Sequence, residues 1–229
     1  MGDSRPRRVV LKVSGKIINP DNPRLVGEYA GLLGRVRGEG VEVAVVVGGG
    51  PIARRYIEAA RSVGASRSMM DILGIEASRL NARLLIAGLW PLAYPVPPRS
   101  IHGFLEAYST GRIVVCGGFQ PGQSTAGTAA LVAEAMGADL LVLATTVHGV
   151  YDRDPRRHRD ARLLRRLTYE EFRRVVEQSV EPGHYELLDP LAVSVLVRSG
   201  IPCRVVYGFE PGRVYRALLG GDEGSLITP

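Results

Sequence analysis

Two lysines near the amino terminus are the first residues whose type and spacing could do chemistry. Lys12 and Lys16 flank a Ser-Gly turn in the segment VVLKVSGKII (9–18), and all 27 remaining members of the 29 lysines and arginines are arginine. An ammonium is a compact charge on a flexible stem, whereas a guanidinium is a rigid planar fork. Two ammonium groups around one turn can reach a common anion and follow a phosphoryl group as it moves. The pattern predicts phosphoryl transfer; chance placement in an arginine-rich chain is the alternative.

Three glycine-bearing segments each follow a strand-like apolar run: KVSGK (12–16), GGGPIAR (48–54) and GGFQPGQST (117–125). Backbone N–H groups in such turns and at helix N-termini complement anions. Neither a Walker loop nor a Rossmann glycine fingerprint occurs. One such loop is often only a turn, but three after three strands predict a phosphate site of another type.

Short β-branched runs alternate with amphipathic stretches along the chain. This alternation predicts an α/β fold, a three-layer α/β/α sandwich with a mostly parallel central sheet and ligands beyond the carboxyl ends of its strands. We expect strands at 7–13, 41–47, 91–98, 111–119, 139–145, 201–208 and 224–229. We expect helices at 24–39, 51–64, 67–88, 126–138, 168–178, 189–200 and 211–220.

The domain organisation is expected to be one domain, 1–229, with a front lobe over 7–150 that holds the glycine loops and a back lobe over 151–229. The arginine-rich tract at 152–165 is interleaved with aspartates, which predicts a solvated loop and helix entry with ion pairs. The helix at 67–88 is apolar on several sides, which indicates burial in the core or at a subunit contact.

Composition narrows the class of protein further. The net charge is +6, but the arginines are spread out and lack an aromatic stacking platform, so we expect no nucleic-acid partner. The chain has no apolar run of about 18 residues and no apolar segment behind its basic start, so we expect no membrane span, no secretory signal and a cytoplasmic location. Cys116 and Cys203 lie in apolar runs and are expected to be buried free thiols. Spacing typical of metal ligands is absent from the histidines, which are His102, His148, His158 and His184.

The ordered motifs resemble those of a known family. They are LKVSGK (11–16), VVVGGG (45–50), GGFQPGQST (117–125) and ATTVHGVYDRDP (144–155), with DILGIEASRLNA (71–82) and YELLDPLA (185–192) in support. In order and spacing they resemble the amino-acid kinase superfamily and, within it, the archaeal uridylate kinases, over nearly the whole chain. The loop at 117–125 together with Asp71 points to UMP as the acceptor.

The resemblance implies the reaction ATP + UMP → ADP + UDP, with Mg²⁺ bound through the ATP phosphates rather than by a protein metal site. It places UMP in the front lobe and ATP on the side of the back lobe. Lys12 and Lys16 would be catalytic. The implied ATP-binding residues are Lys12, Val13, Ser14, Gly15, Lys16, Gly50, Arg54, Thr145, Tyr151 and Asp154. The implied UMP-binding residues are Gly49, Asp71, Phe119, Gln120, Pro121, Gly122, Gln123, Ser124 and Thr125.

The residue types agree with these roles, although each has a simpler alternative. Asp71 is a lone carboxylate in an apolar helix and would accept hydrogen bonds from the ribose hydroxyls. The alternative is a negative charge at a helix start, which the helix dipole favours. The QPGQST segment supplies amides and hydroxyls for a neutral base and a phosphate, or it is a turn ending in a helix cap at Ser124 or Thr125. Tyr151 would contact ATP, or it is a half-buried aromatic residue at a strand end.

Two departures from the family pattern stand out. Ala126 occupies a position where relatives often carry aspartate, so a carboxylate that could orient the lysines or help to place Mg²⁺ is missing. Thr146 and His148 replace the asparagine and aspartate of the usual A-T-N-V-D-G-V-Y motif, and the sequence offers no physical account of that change.

Further expectations and rival functions complete the hypothesis. The resemblance implies a homohexamer built from dimers, and UTP is a candidate feedback inhibitor. The rival hypotheses are a kinase of another acceptor, such as an acyl-amino acid, carbamate or isopentenyl phosphate; a nucleotide-binding regulator without catalysis; and a nucleic-acid binder suggested only by the basic isoelectric point.

Overall fold

A computed structural model describes residues 5–155, 157–178 and 187–229. Residues 1–4, His184 and the first two residues of the YELLDPLA motif lie outside the described residues. The strands are β1 (Arg8–Val13), β2 (Glu42–Val47), β3 (Val114–Cys116), β4 (Leu140–Thr145), β5 (Val150–Tyr151), β6 (Leu163–Leu164), β7 (Arg166–Thr168), β8 (Cys203–Tyr207) and β9 (Ser225–Thr228).

Seven of these strands form one sheet in the order β3-β2-β1-β4-β8-β9-β7. The first five run parallel, β9 is antiparallel to β8, and β7 is parallel to β9. The remaining two strands, β5 and β6, make a separate antiparallel pair. The predicted mostly parallel sheet is confirmed, and the carboxyl ends of β1, β2, β3 and β4 lie at one edge.

Helices cover both faces of the sheet. The α1, α3 and α8 helices pack on one face, α2 packs on α3, and α4, α5, α6 and α7 contribute to the core on the other face. The predicted three-layer arrangement is therefore confirmed. The helices are α1 (Pro23–Gly38), α2 (Gly50–Ser62), α3 (Arg67–Leu89), α4 (Ile101–Ser109), α5 (Thr125–Met136), α6 (Tyr169–Gln178), α7 (Pro190–Ser199) and α8 (Pro211–Leu218).

Strand β1 lies in the middle of the parallel part of the sheet and shows how the two cores are divided. Val9, Leu11 and Val13 belong to the core under α1, α3 and α8, while Val10 belongs to the core under α5. Side chains alternate between the two faces of a strand. Lys12 therefore follows Val10 on the α5 face, near the carboxyl end of the strand.

Local signals in the sequence set the start and end of several helices. The hydroxyls of Ser66 and Ser124 accept backbone N–H groups at the starts of α3 and α5, and the carboxylate of Asp189 does so for α7. Gly137 and Gly200 end α5 and α7 in the left-handed conformation, which glycine adopts without a steric penalty. The predicted boundaries of these helices agree with the structure to within about two residues.

Three expectations need correction. Residues 91–98 form no strand; only a single bridge joins Ala93 to Ile113, because four prolines in the segment remove ladder donors. Helix α4 was not predicted from the sequence. The described residues of the tract at 152–165 are exposed or partly buried and include the ion pair of Arg153 with Asp160, but the tract leads into β6 and β7 before α6 begins.

The burial of α3 and of the cysteines also bears on the expectations. Helix α3 buries one side, yet Met69, Ile72 and Leu80 on it are exposed by 52%, 38% and 62%. Cys116 and Cys203 are buried free thiols, as predicted, and burial raises the pKa of each. Among the described residues, no helix combines the length and apolarity needed to span a membrane.

Leu33 on α1 tests the packing of the core. Its side chain is fully buried, so Leu33→Ala should lower the free energy of unfolding by about 2–5 kcal/mol through lost contacts and a residual cavity. Val197→Ala on α7 is the control, because Val197 is 42% exposed, and it should change the value by about 0.5 kcal/mol or less. Urea denaturation measures both; equal effects would contradict the assigned core.

Candidate active site

The three glycine loops meet at the carboxyl edge of the sheet. Strands β1, β2 and β3 are neighbours in parallel register, so the segments that follow them, at 14–16, 48–50 and 117–125, come to one place. The third loop also reaches the other two, since Thr125 Oγ1 lies 3.7 Å from the point where a Cβ of Gly48 would stand. The structure thus brings together loops that are about 30 and 70 residues apart in the chain.

The first two loops touch backbone to backbone. A Cβ on Gly15 would lie 2.3 Å from the carbonyl oxygen of Gly48 and 2.4 Å from the amide nitrogen of Gly50. A Cβ on Gly50 would lie 2.2 Å from the carbonyl oxygen of Gly15, and Gly50 has a φ of +59°. Only glycine permits both the close approach and this conformation.

Lys12 is the second-last residue of strand β1, three residues before Gly15 of this junction. Its neighbours in register are Val46 on β2 and Leu143 on β4, so the stem of the side chain lies among apolar residues. Burial lowers the pKa of Lys12 to about 8, because a low-dielectric setting disfavours the charged form. Within the described residues Lys12 makes no ion pair, which leaves its charge available to an anion.

Asparagines hold the Ser-Gly turn in place. The amide of Asn19 donates to the Gly15 carbonyl at 2.9 Å, and that of Asn22 donates to the Lys16 carbonyl at 2.9 Å. The Ser14 hydroxyl accepts the Lys16 N–H at 3.2 Å. The turn is therefore fixed by hydrogen bonds on its carbonyl side.

A cleft of about 300 Å³ lies between α3 and the loop at 117–125. Asp71 lines it from the first turns of α3, and its carboxylate accepts the Gly122 N–H at 2.9 Å. Gln123, Ser124 and Thr125 line the cleft from the side of α5. Carboxylate, amide and hydroxyl groups thus face one space large enough for part of a nucleotide.

The remaining predicted acceptor-site residues lie on the same loop or next to it. Phe119 is partly buried, whereas Gln120, Pro121 and Gly122 are exposed at the tip of the loop. Gly49 precedes α2 as its N-cap, and a Cβ there would lie 2.5 Å from the Ala53 side chain.

The predicted ATP-side residues are more dispersed. Val13 and Thr145 end the adjacent strands β1 and β4 at the loop edge, whereas Tyr151 belongs to the β5–β6 pair and Asp154 follows it. Arg54 lies on the first turns of α2 with an exposed side chain. The roles of Tyr151, Asp154 and Arg54 at an ATP site stay predictions.

Three polar residues of α3 support the site and were not predicted. Asn81 donates to the carbonyls of Gly48 and Gly49 at 3.0 and 3.2 Å. Ser78 accepts the Gly118 N–H at 2.8 Å, and Arg79 contacts the loop that follows. Buried polar groups are almost always hydrogen-bonded, so polar positions within an apolar helix were the signal that could have revealed them.

The structure shows which residues surround Ala126 and His148, the two departures from the family pattern. Ala126 lies in the first turn of α5, where Asp189 accepts a hydrogen bond from the Ser124 hydroxyl as well as the Ala192 N–H. The His148 ring stacks on Tyr207 with centroids 4.3 Å apart, beside the end of β4. An aromatic pair thus stands where the family usually has a carboxylate.

No group of three or more His, Cys, Asp or Glu side chains among the described residues could hold a metal ion.

The fold and the glycine-loop site define the class: the chain belongs to the amino acid kinase family, whose model matches residues 7–207. Among its relatives, a uridylate kinase of Hyperthermus butylicus is 66% identical over 96% of this chain and 97% of that protein. A uridylate kinase of Pyrobaculum calidifontis is 49% identical over 96% of this chain and 99% of that protein.

Solved structures give the same grouping. The crystal structure of a uridylate kinase from Archaeoglobus fulgidus has a TM-score of 0.87 and 36% identity, over 96% of this chain and 99% of that one. That of a UMP kinase from Bacillus anthracis has a TM-score of 0.81 and 25% identity, over 98% of this chain and 96% of that one. The family resemblance seen in the motifs is confirmed.

The contact between the first two loops can be tested by adding one methyl group. Gly15→Ala should lower the free energy of unfolding by about 2 kcal/mol or more, since the facing atoms are backbone and cannot rotate away. It should also weaken binding of pyrophosphate, measured by calorimetry. Gly27→Ala in α1 is the matched control, because a Cβ there meets nothing within 4 Å, and it should stabilise by about 0.5–1 kcal/mol. A Gly15→Ala protein as stable as the control would contradict the described contact.

Proposed function

We propose that this protein is a UMP kinase that transfers the γ-phosphoryl group of ATP to UMP in pyrimidine nucleotide biosynthesis. The observation that carries the proposal is the meeting of three glycine loops around Lys12, next to a cleft lined by Asp71. A phosphoryl transferase needs two anions held end to end with a cation between them. The names of the relatives supply the identity of the acceptor.

Lys12 and Lys16 act on the phosphates. The turn fixed by Asn19 and Asn22 directs its carbonyls toward those amides, which leaves Gly15 and Gly50 to present N–H groups to the β- and γ-phosphates. The Lys12 ammonium neutralises the charge that develops on the transferring group. Preorganised donors in a partly desolvated site stabilise such charge more than water does.

The UMP phosphate lies at the start of α5. Ser124 caps that helix through the Ala126 and Gly127 N–H groups, and the positive end of a helix dipole favours an anion. Thr125 stands close to Gly48 and therefore close to the point of transfer. The ribose of UMP binds Asp71, and its uracil lies against the loop from Phe119 to Gln123.

ATP occupies the side of the back lobe, as the sequence predicts. Thr145 contacts its nucleoside from the end of β4, Tyr151 and Asp154 from the segment that follows, and Arg54 binds phosphate oxygens from α2. An exposed arginine on a helix that begins at the phosphate site is suited to bidentate contact with an anion.

Mg²⁺ would be held by the phosphates of bound ATP rather than by a protein metal site. Asp189, the N-cap of α7, already accepts hydrogen bonds from Ser124 and Ala192, and Ala126 offers no ligand. Mg²⁺ is commonly held by substrate phosphates and water with few protein ligands, so the residues present fit a metal carried by the substrate. When bound, Mg²⁺ neutralises charge on the phosphate oxygens.

An exposed apolar surface on α2 and α3 supports a subunit contact. Four large apolar side chains on it are exposed by more than a third: Tyr56, Met69, Ile72 and Leu80. Because monomeric proteins rarely leave large apolar residues grouped on one face, such a group indicates a surface that contacts another protein chain. We propose that copies of this chain associate through this surface, within the homohexamer that the family resemblance of the motifs implies. Inhibition by UTP, which shares the base of UMP, would follow from competition at the acceptor cleft.

An ADP-release assay with UMP, CMP, dUMP and acceptors of other family members tests the function. We expect UMP to turn over fastest, and Lys12→Ala to lower kcat by about 10²–10³ or more with the fold intact, since it removes charge stabilisation of the transition state. Arg61→Ala on α2 is a control for loss of an exposed cation. If UMP reacts no faster than the other acceptors, or binds tightly without ADP release, the proposal is wrong.

The lowered pKa of Lys12 predicts the pH dependence. Because the free protein has a pKa of about 8 at this ammonium, the charged fraction falls about tenfold per pH unit above that value. The kcat/KM for ATP should therefore be level between pH 6 and 7.5 and decline above pH 8. The Lys12→Arg variant keeps its positive charge across this pH range. Its kcat/KM should therefore be lower but should not decline above pH 8. If kcat/KM of the unaltered protein stays level up to pH 10, the catalytic role assigned to Lys12 is wrong.

A further inference from the structure

Arg79 on α3 is held in one orientation by three contacts. Its Nε donates to the Gly118 carbonyl and its Nη2 to the Phe119 carbonyl, each at 3.1 Å. Its Nη1 donates to Glu76 at 2.7 Å, and the side chain is only 11% exposed. A planar guanidinium with every nitrogen engaged cannot rotate without losing a bond.

The base of the acceptor loop is pressed against the same helix. A Cβ on Gly117 would lie 2.6 Å from the Ser78 hydroxyl oxygen, and that hydroxyl accepts the Gly118 N–H at 2.8 Å. The tip of the loop is tied to α3 only through Asp71 and Gly122 among the hydrogen bonds of the described residues. The loop thus has a fixed base and a less constrained tip.

The carbonyls that Arg79 binds determine where the adjacent N–H groups point. In a trans peptide the C=O and the following N–H are planar and point in opposite directions. The N–H groups of Phe119 and Gln120 therefore point away from Arg79, and neither donates to an atom of the described residues. Both lie between Gly118 and Gly122, which line the acceptor cleft. Successive N–H groups of this kind form a site for an oxygen acceptor.

We infer that Arg79 is a positioning residue that selects uracil over cytosine. The inference rests on the proposed UMP kinase function. Uracil carries a carbonyl oxygen at C4, whereas cytosine carries an amino group there. Fixed N–H groups donate to the carbonyl oxygen but leave the amino group, itself a donor, without a partner, so locking the Phe119 and Gln120 N–H groups favours UMP over CMP.

The size of the effect follows from the cost of unpaired groups. A site built to hydrogen-bond one polar group rejects an analogue that leaves its donors unpaired. Such rejection needs a rigid backbone, because a loop free to turn its peptide units could offer a carbonyl to the cytosine amino group instead. Arg79 removes that freedom while its guanidinium never enters the acceptor cleft.

The test compares the ratio of kcat/KM for UMP to that for CMP in the unaltered protein and three variants. Arg79→Met keeps the length of the side chain without its donors and should lower the ratio by about tenfold or more, with the KM for ATP changed less than about twofold. Arg83→Met is the matched control, since Arg83 lies one turn further along α3 with an exposed side chain, and it should leave the ratio unchanged. Arg79→Lys, which keeps the charge without the fork, should lower the ratio as Arg79→Met does.

Several outcomes would overturn the inference. Equal losses for UMP and CMP in Arg79→Met would make Arg79 a general support of the fold, and an unchanged ratio would deny it any part in selection. If Arg79→Met does not fold, the ratio in Arg79→Lys decides in the same way. Failure of the unaltered protein to phosphorylate UMP at all is a separate result, which would defeat the proposed function itself.

Discussion

The rest of the site depends on the contact between the backbones of Gly15 and Gly48–Gly50. No side chain fits between these loops, so the ends of β1 and β2 approach as closely as two peptide chains can. That approach puts the Ser-Gly turn, the start of α2 and the Thr125 hydroxyl around one small volume. Asn19 and Asn81 bind carbonyls on the outside of the junction. The junction is therefore a frame held by backbone contacts, and Lys12 brings a positive charge next to it.

The larger features of the fold could be predicted from the sequence, because local residue preferences and positions in the fold agree for most elements. Strands such as β1 and β4 are continuous β-branched or aliphatic runs, and α3 and α5 begin at serines, so local chemistry and global position agree. The prediction of a strand at 91–98 was wrong because the apolar run suggested a strand, whereas its prolines cannot donate the backbone hydrogen bonds that a strand needs. Helix α4 is short and contains Gly103, so its helical pattern was weak.

The site was predictable only in part. The glycine loops could be recognised because glycine together with lysine at the end of a strand is typical of an anion site. Their meeting could be predicted because parallel strands bring their carboxyl ends to one edge of the sheet. Ser78, Arg79 and Asn81 could not be assigned partners, because the backbone groups of the loops that they bind are about 30 to 40 residues away in sequence. Likewise, the stacking of His148 on Tyr207 joins a bend after β4 to the end of β8, and neither segment alone indicates the other.

The placement of both lysines at the site has a consequence for chemical labelling. Acylating reagents attack neutral primary amines, and an amine of lowered pKa is neutral in a larger fraction of molecules near neutral pH. Lys12 is such an amine, and the only other lysine of the chain is four residues away. Apart from the α-amino group, a reagent of this kind therefore has no competing surface lysines to modify. A single covalent probe could report on occupancy of this one turn by the nucleotide, without any engineered cysteine.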